Sequence, residues 1–202
     1  MKIGLYGGAF DPIHAGHVEP VRAARDQLGL DRVVYLPTAR PPHKPERDLA
    51  KGLHRYVMVE LALLDHPGLV VSPFELMPET PAYTVDTIRH FRALHPNDEL
   101  FFLIGSDALA RFPTYREWEE ILDAARVAVL ARPGFDVARI LPDLGPRLAN
   151  LASSGELAVV HNPPVEASST RLREILAAGD RPPAGWMDER VLQYARKYSL
   201  YR

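Results

Sequence analysis

Short apolar runs alternate along the chain with longer stretches whose apolar residues return every three or four positions. Val33-Val34-Tyr35-Leu36 and Leu100-Phe101-Phe102-Leu103-Ile104 are continuous, as expected of strands covered on both faces. Such runs predict strands at 2–6, 32–36, 69–72, 99–104, 126–130 and 157–161. Helical spacing predicts helices near 17–28, 51–65, 84–94, 117–123, 136–149, 169–178 and 187–197. Strands that alternate with helices imply crossover connections, hence a doubly wound parallel sheet with helices on both faces, an α/β class of Rossmann-like type. The 202 residues suffice for one domain, expected to span 1–202, and are short for two. The proline-rich stretches at 37–45 and 163–164 read as loops. In sheets of this class ligands bind beyond the carboxyl ends of the strands, where strand order reverses.

Composition narrows the chemistry. A hydrophobic fraction of 47% and a charged fraction of 25% describe an ordinary soluble globule. A net charge of −2 argues against nucleic acid as a partner. The chain has no cysteine, which excludes disulfides, thiolate catalysis and Cys-ligated zinc. No apolar run has the length to span a bilayer, and the first strand starts at once after Met1, leaving no room for a signal peptide. A cytoplasmic location is the expectation. Oligomeric state is not legible.

Residues 7–17 read GGAFDPIHAGH, directly after the run Ile3-Gly4-Leu5-Tyr6. Adjacent glycines, Gly7 and Gly8, let a backbone approach a ligand closely. The residues that follow have helical periodicity, and unpaired N–H groups at a helix start attract phosphate. His14 and His17 stand at that start. Neutral imidazoles there can donate hydrogen bonds to phosphoryl oxygens. A second helix start has related chemistry: residues 168–173 read Ser-Ser-Thr-Arg-Leu-Arg. Hydroxyls before a periodic run are N-cap residues. The helix dipole favours acids in a first turn, yet this turn carries Arg171 and Arg173, which suits a bound polyanion.

The first of these stretches resembles the signature of the HxGH nucleotidyltransferases, and GGxFDPxHxGH is similar to that of their bacterial nicotinate-nucleotide adenylyltransferase family. The resemblance recurs along the chain. Ser168, Ser169, Thr170 and Arg173 match the family's SSTxxR element, which contacts the ATP phosphates; Arg171 falls on a variable position. His43 and Lys44 match its PxxxPPHK loop over the mononucleotide. Tyr83 and Thr84, in Tyr83-Thr84-Val85-Asp86-Thr87, match SYTxDT, with Ala82 in place of Ser; by itself the element reads as an N-cap at Thr84 or a neighbour. Gly105 and Asp107 match GxD. Tyr115 falls where the family stacks an aromatic ring on the pyridine, and Arg132, in Arg132-Pro133-Gly134, matches the RPG whose Arg reaches the mononucleotide phosphate. Trp118 and the Ser199-Leu200-Tyr201 segment read as packing.

The resemblance implies adenylyl transfer from ATP to nicotinate mononucleotide, giving nicotinate adenine dinucleotide and pyrophosphate in NAD biosynthesis. It implies that His14, His17 and Arg173 are catalytic, with Gly7, Gly8, Phe10, Gly105, Asp107, Ser168, Ser169 and Thr170 on ATP. His43, Lys44, Tyr83, Thr84, Tyr115 and Arg132 would hold the mononucleotide. Mg²⁺ is implied by the triphosphate, held by phosphate oxygens and water, since no carboxylate cage stands out. Two alternatives stay open: an HxGH transferase acting on phosphopantetheine or an alcohol phosphate, and a nucleotide-sensing module without turnover.

Overall fold

The computed structural model describes residues 1–39, 49–77, 83–131, 134 and 136–202. Six strands run through it: β1 (Lys2–Gly8), β2 (Arg32–Pro37), β3 (Leu69–Val71), β4 (Glu99–Gly105), β5 (Arg126–Leu130) and β6 (Leu157–Val160). They form one sheet in the order β3-β2-β1-β4-β5-β6, and every described pairing is parallel. Registers such as Leu5↔Val34 and Leu5↔Phe102 place β1 between β2 and β4. Strand order therefore reverses beside β1, where this class opens a crevice.

Alternation along each strand divides the apolar residues between two cores. Val33, Tyr35, Phe101, Leu103, Ala128 and Leu130 face one cluster with Val18 and Val21 of α1 (Ala15–Leu28), Met58 and Val59 of α2 (Gly52–Leu63), and Val191 of α9 (Glu189–Lys197). Ile3, Leu5, Val34, Leu36, Leu100, Phe102 and Ile104 face the other, with Val85 and Ile88 of α3 (Thr84–Leu94) and Ile121 of α5 (Trp118–Ala124). Each such side chain contributes roughly 1.5–3 kcal/mol on full burial. Gly4 is where one layer presses closest: a Cβ there would lie 3.0 Å from Leu103 and 3.1 Å from Leu30 and Val33.

The helix predicted over 136–149 is instead three pieces. A short α6 (Val137–Ile140) passes into a 3₁₀ turn at Leu141–Leu144, and α7 (Pro146–Ser154) starts afresh. Pro142 and Pro146 lack the N–H a continuous helix needs, and Gly145 at φ +94° turns the chain between them. The remaining helices are the single turn α4 (Ser106–Leu109) and α8 (Ser169–Ala177). At the β6 edge the Gln27 amide substitutes for a neighbouring strand, donating to the His161 carbonyl and accepting from its N–H at 3.1 Å.

Candidate active site

The chain leaves β1 through Gly7 and Gly8 and turns at Phe10, a non-glycine residue at φ +47°. Packing holds that conformation. The Phe10 ring is 1% exposed and lies 5.5 Å from Tyr6, 5.6 Å from Tyr35 and edge-on to His17 at 5.2 Å. A Cβ at Gly8 would sit 2.9 Å from this ring, so glycine is required there. His14 caps α1: its Nδ1 accepts from the Gly16 N–H at 3.0 Å. An Nδ1 that accepts is unprotonated, so in the neutral ring Nε2 carries the hydrogen. The His17 ring lies 3.8 Å from it.

The free N–H groups expected at this helix start are not there. Ala15 donates to the Trp186 carbonyl at 2.9 Å and His17 to the His14 carbonyl at 2.7 Å, while Gly16 donates to the imidazole. The segment around Trp186 folds back onto α1 and occupies a group that sequence leaves open.

The start of α8 is different. Ser168 Oγ caps it, accepting from the Arg171 N–H at 3.3 Å. No partner within the described residues takes the N–H groups of Ser169 and Thr170, the orphan donors of a helix start. This helix start is tied to the histidine loop: Ser169 Oγ donates to the Pro12 carbonyl at 3.0 Å, and the Arg173 guanidinium donates to the Asp11 carbonyl and, at 3.1 Å, to Thr170 Oγ1. Arg171 departs from the sequence expectation of paired cations. It is exposed and lies over the Trp186 ring at 5.2 Å, away from Arg173.

Across the crevice β4 ends at Gly105, which precedes the turn carrying Asp107. Tyr83 caps α3 through its backbone, with no side-chain hydrogen bond, so the cap is the neighbour of Thr84 and not Thr84 itself. Tyr115 packs at 5.5 Å on the buried Phe112, and burial pushes its phenol pKa up. Trp118 packs on Phe112 as well, at 5.9 Å. Arg116 lies over the Tyr83 ring at 4.9 Å.

These elements enclose a cavity of about 620 Å³. Gly7, Gly8, Phe10, His14 and His17 line it from the β1 side; Ser168, Ser169, Thr170 and Arg173 from α8; Gly105 and Asp107 from β4; and Tyr83, Thr84 and Tyr115 from the far wall. His43, Lys44 and Arg132 lie outside the described residues. Sequence reading passed over three lining or supporting residues. Glu75 lines the far wall, accepts from Thr87 Oγ1 at 2.8 Å, and burial raises its pKa to about 7. Asp11 is 2% exposed on the wall. Arg55, 1% exposed, donates to the carbonyls of Ala50, Ala9 and Thr38 at 2.7–2.8 Å. Its signal was legible: it stands on the buried face of α2 with Met58, Val59 and Ala62, where a cation must find partners. Among the described residues no group of three or more acidic or histidine side chains could hold a metal ion, and no helix is long and apolar enough to cross a membrane.

Residues 5–175 match the family model described as cytidylyltransferase-like. The chain is 40% identical to a Chromobacterium violaceum protein named "Probable nicotinate-nucleotide adenylyltransferase", over 100% of this chain and 99% of that protein. A Thermus thermophilus protein of the same name is 39% identical over 100% of both. The structure of Plasmodium falciparum nicotinic acid mononucleotide adenylyltransferase complexed with NaAD superposes with a TM-score of 0.78, over 99% of this chain and 97% of that one. Its 20% identity speaks to the fold, and the fold is the same. Full-length relatives at this identity and a family model spanning most of the chain carry one conclusion: the chain belongs to the cytidylyltransferase-like family and, within it, to the nicotinate-nucleotide adenylyltransferases.

Proposed function

We propose that this cavity joins nicotinate mononucleotide to the adenylyl group of ATP. A 5′-phosphate oxygen of the mononucleotide attacks the α-phosphorus, the bond to the β-phosphate oxygen breaks, and nicotinate adenine dinucleotide and pyrophosphate leave. The observation that carries this reading is the convergence of α1 and α8, whose starts are bonded to each other through Ser169–Pro12 and Arg173–Asp11. Two donor sets are thereby fixed on one cavity wall at a separation set by protein, not by ligand.

The attacking phosphate is already ionised, so no strong base or protein nucleophile is needed. What remains is to bring two anions together and stabilise the charge moving onto pyrophosphate. The Nε2–H of His14 and the imidazole of His17 would donate at the reacting phosphates. The N–H groups of Ser169 and Thr170, with the Arg173 guanidinium, would hold the leaving end. ATP would enter as its Mg²⁺ complex, the ion held largely by phosphate oxygens and water. Gly105 and Asp107 face the nucleoside, and Thr84 and Tyr115 the pyridine; His43, Lys44 and Arg132 belong to the mononucleotide side by their family positions. A cytoplasmic location fits the supply of ATP.

The test is incubation with ATP, Mg²⁺ and either nicotinate mononucleotide or its amide, with pyrophosphate release and product mass as readouts. By the family resemblance, backbone N–H groups near Thr84 and Tyr115 would receive the carboxylate, and such donors are left unpaired against an amide NH₂. The expected kcat/KM is therefore at least about 100-fold higher for the acid. Equal values refute the preference, and ATP bound with no pyrophosphate from either acceptor refutes the reading.

A further inference from the structure

One buried carboxylate joins the triphosphate side of the cavity to a distant part of the chain. Asp11 Oδ1 accepts from the Tyr201 hydroxyl at 2.7 Å and from the Ala50 N–H at 3.2 Å. Its Oδ2 stands 4.0 Å from Arg173 Nη1, whose hydrogen bond goes to the Asp11 carbonyl. Tyr201 lies in the stretch after α9, where Ser199 at φ +53° and Tyr201 at φ +67° turn the backbone. Such φ values are uncommon for residues with a side chain and are held only where the surroundings enforce them. The Tyr201 ring packs on the core beneath α2.

We propose that Tyr201 is a positioning residue for ATP binding: its hydroxyl pins the Asp11 carboxylate toward Ala50 and so leaves Arg173 available to phosphate. Arg173 Nη1 and Asp11 Oδ2 pair only at the limit of contact, 4.0 Å, with no hydrogen bond between them, although opposite charges attract strongly in so dry a place. The Tyr201 and Ala50 donors on Oδ1 hold the carboxylate at that distance. Without the phenol, rotation about the Asp11 side chain closes the gap, and the carboxylate competes with the triphosphate for the guanidinium. Burial and the adjacent carboxylate push the Tyr201 pKa up, so the phenol remains a donor throughout the working range.

The inference rests on ATP being the ligand of α8, and its test reads affinity for Mg²⁺–ATP, which needs no acceptor and no turnover. Calorimetric titration of wild type, Tyr201→Phe, Arg173→Ala and the double variant forms a cycle. Tyr201→Phe keeps the ring and its packing. It is expected to weaken Mg²⁺–ATP about tenfold, the scale of one hydrogen bond to a charged group, and to leave nicotinate mononucleotide within about twofold of wild type. In the Arg173→Ala background the same change is expected to cost less than about twofold. Unchanged ATP affinity, equal weakening of both ligands, or a full tenfold loss without Arg173 each overturns the proposal. If the cycle behaves as expected while wild type releases no pyrophosphate, the positioning role stands and the transferase reading fails.

Discussion

At the scale of single residues, the two imidazoles are not equivalent. His14 is committed at Nδ1 to the cap of α1, whereas His17 stands one turn in, braced edge-on by Phe10, with its backbone carbonyl accepting from Tyr35 at 3.0 Å. His17→Ala is expected to lower turnover about 10²–10³-fold, the cost of one preorganised donor, with little change in stability. His14→Ala is expected to lose comparable activity and also about 1 kcal/mol of stability with the cap. Steady-state kinetics beside chemical denaturation separates the two. Residue types and spacing made both histidines legible. The role of Asp11 was not, because the partner that defines it, Tyr201, lies 190 positions away. Asp-Pro in a glycine loop reads locally as a turn, and nothing local distinguishes a turn-forming carboxylate from a buried one.

Among the elements, α8 shows how one helix sorts its own side chains. Leu172 and Leu176 are buried, and the two arginines follow from that face. Arg173, adjacent to Leu172 on the side of the histidine loop, reaches Asp11, while Arg171 swings out over Trp186. Arg171 is the third residue of α8 and Arg173 the fifth, and only the rotation of the helix decides which of them lines the cavity. Ser168 serves the same helix as its cap. Ser168→Ala is expected to destabilise by about 1 kcal/mol, and Ser168→Gly to restore most of that loss. Thermal melts check this, and a glycine variant no better than alanine would contradict the capping role. The helix expected over 136–149 teaches the converse. Its apolar spacing is helical throughout, but Pro142, Gly145 and Pro146 interrupt it, and backbone constraint outweighs periodicity.

For the molecule as a whole, the sheet order brings four distant segments to one crevice, and Glu75 links that crevice to global stability. Burial holds the Glu75 carboxyl at about 7, against an ordinary 4.5, although the Thr87 hydroxyl bond opposes the shift. A carboxyl that keeps its proton more tightly when folded stabilises fully below its unfolded pKa and loses that contribution as pH rises through the folded value. Wild type is therefore expected to lose up to about 3 kcal/mol between pH 5 and pH 8 from this group. Glu75→Gln, which can still accept from Thr87, is expected to remove that slope. Urea denaturation at both pH values reads the difference, and parallel slopes in the two proteins would sink the assignment.

The amino-acid order alone determined the alternating α/β plan, the strands nearly to the residue, and the glycine-histidine and serine-arginine segments. Those properties live in periodicity, backbone constraint and residue chemistry within a dozen positions, which physics reads locally. Only the tertiary structure decided that α1 has already spent its N–H groups on Trp186 and His14, that Arg173 and not Arg171 enters the cavity, and that Tyr201 and Arg55 support it. Each of these depends on which remote carbonyl or carboxylate a group meets once the chain is closed. A donor does not carry the address of its acceptor in its own neighbourhood.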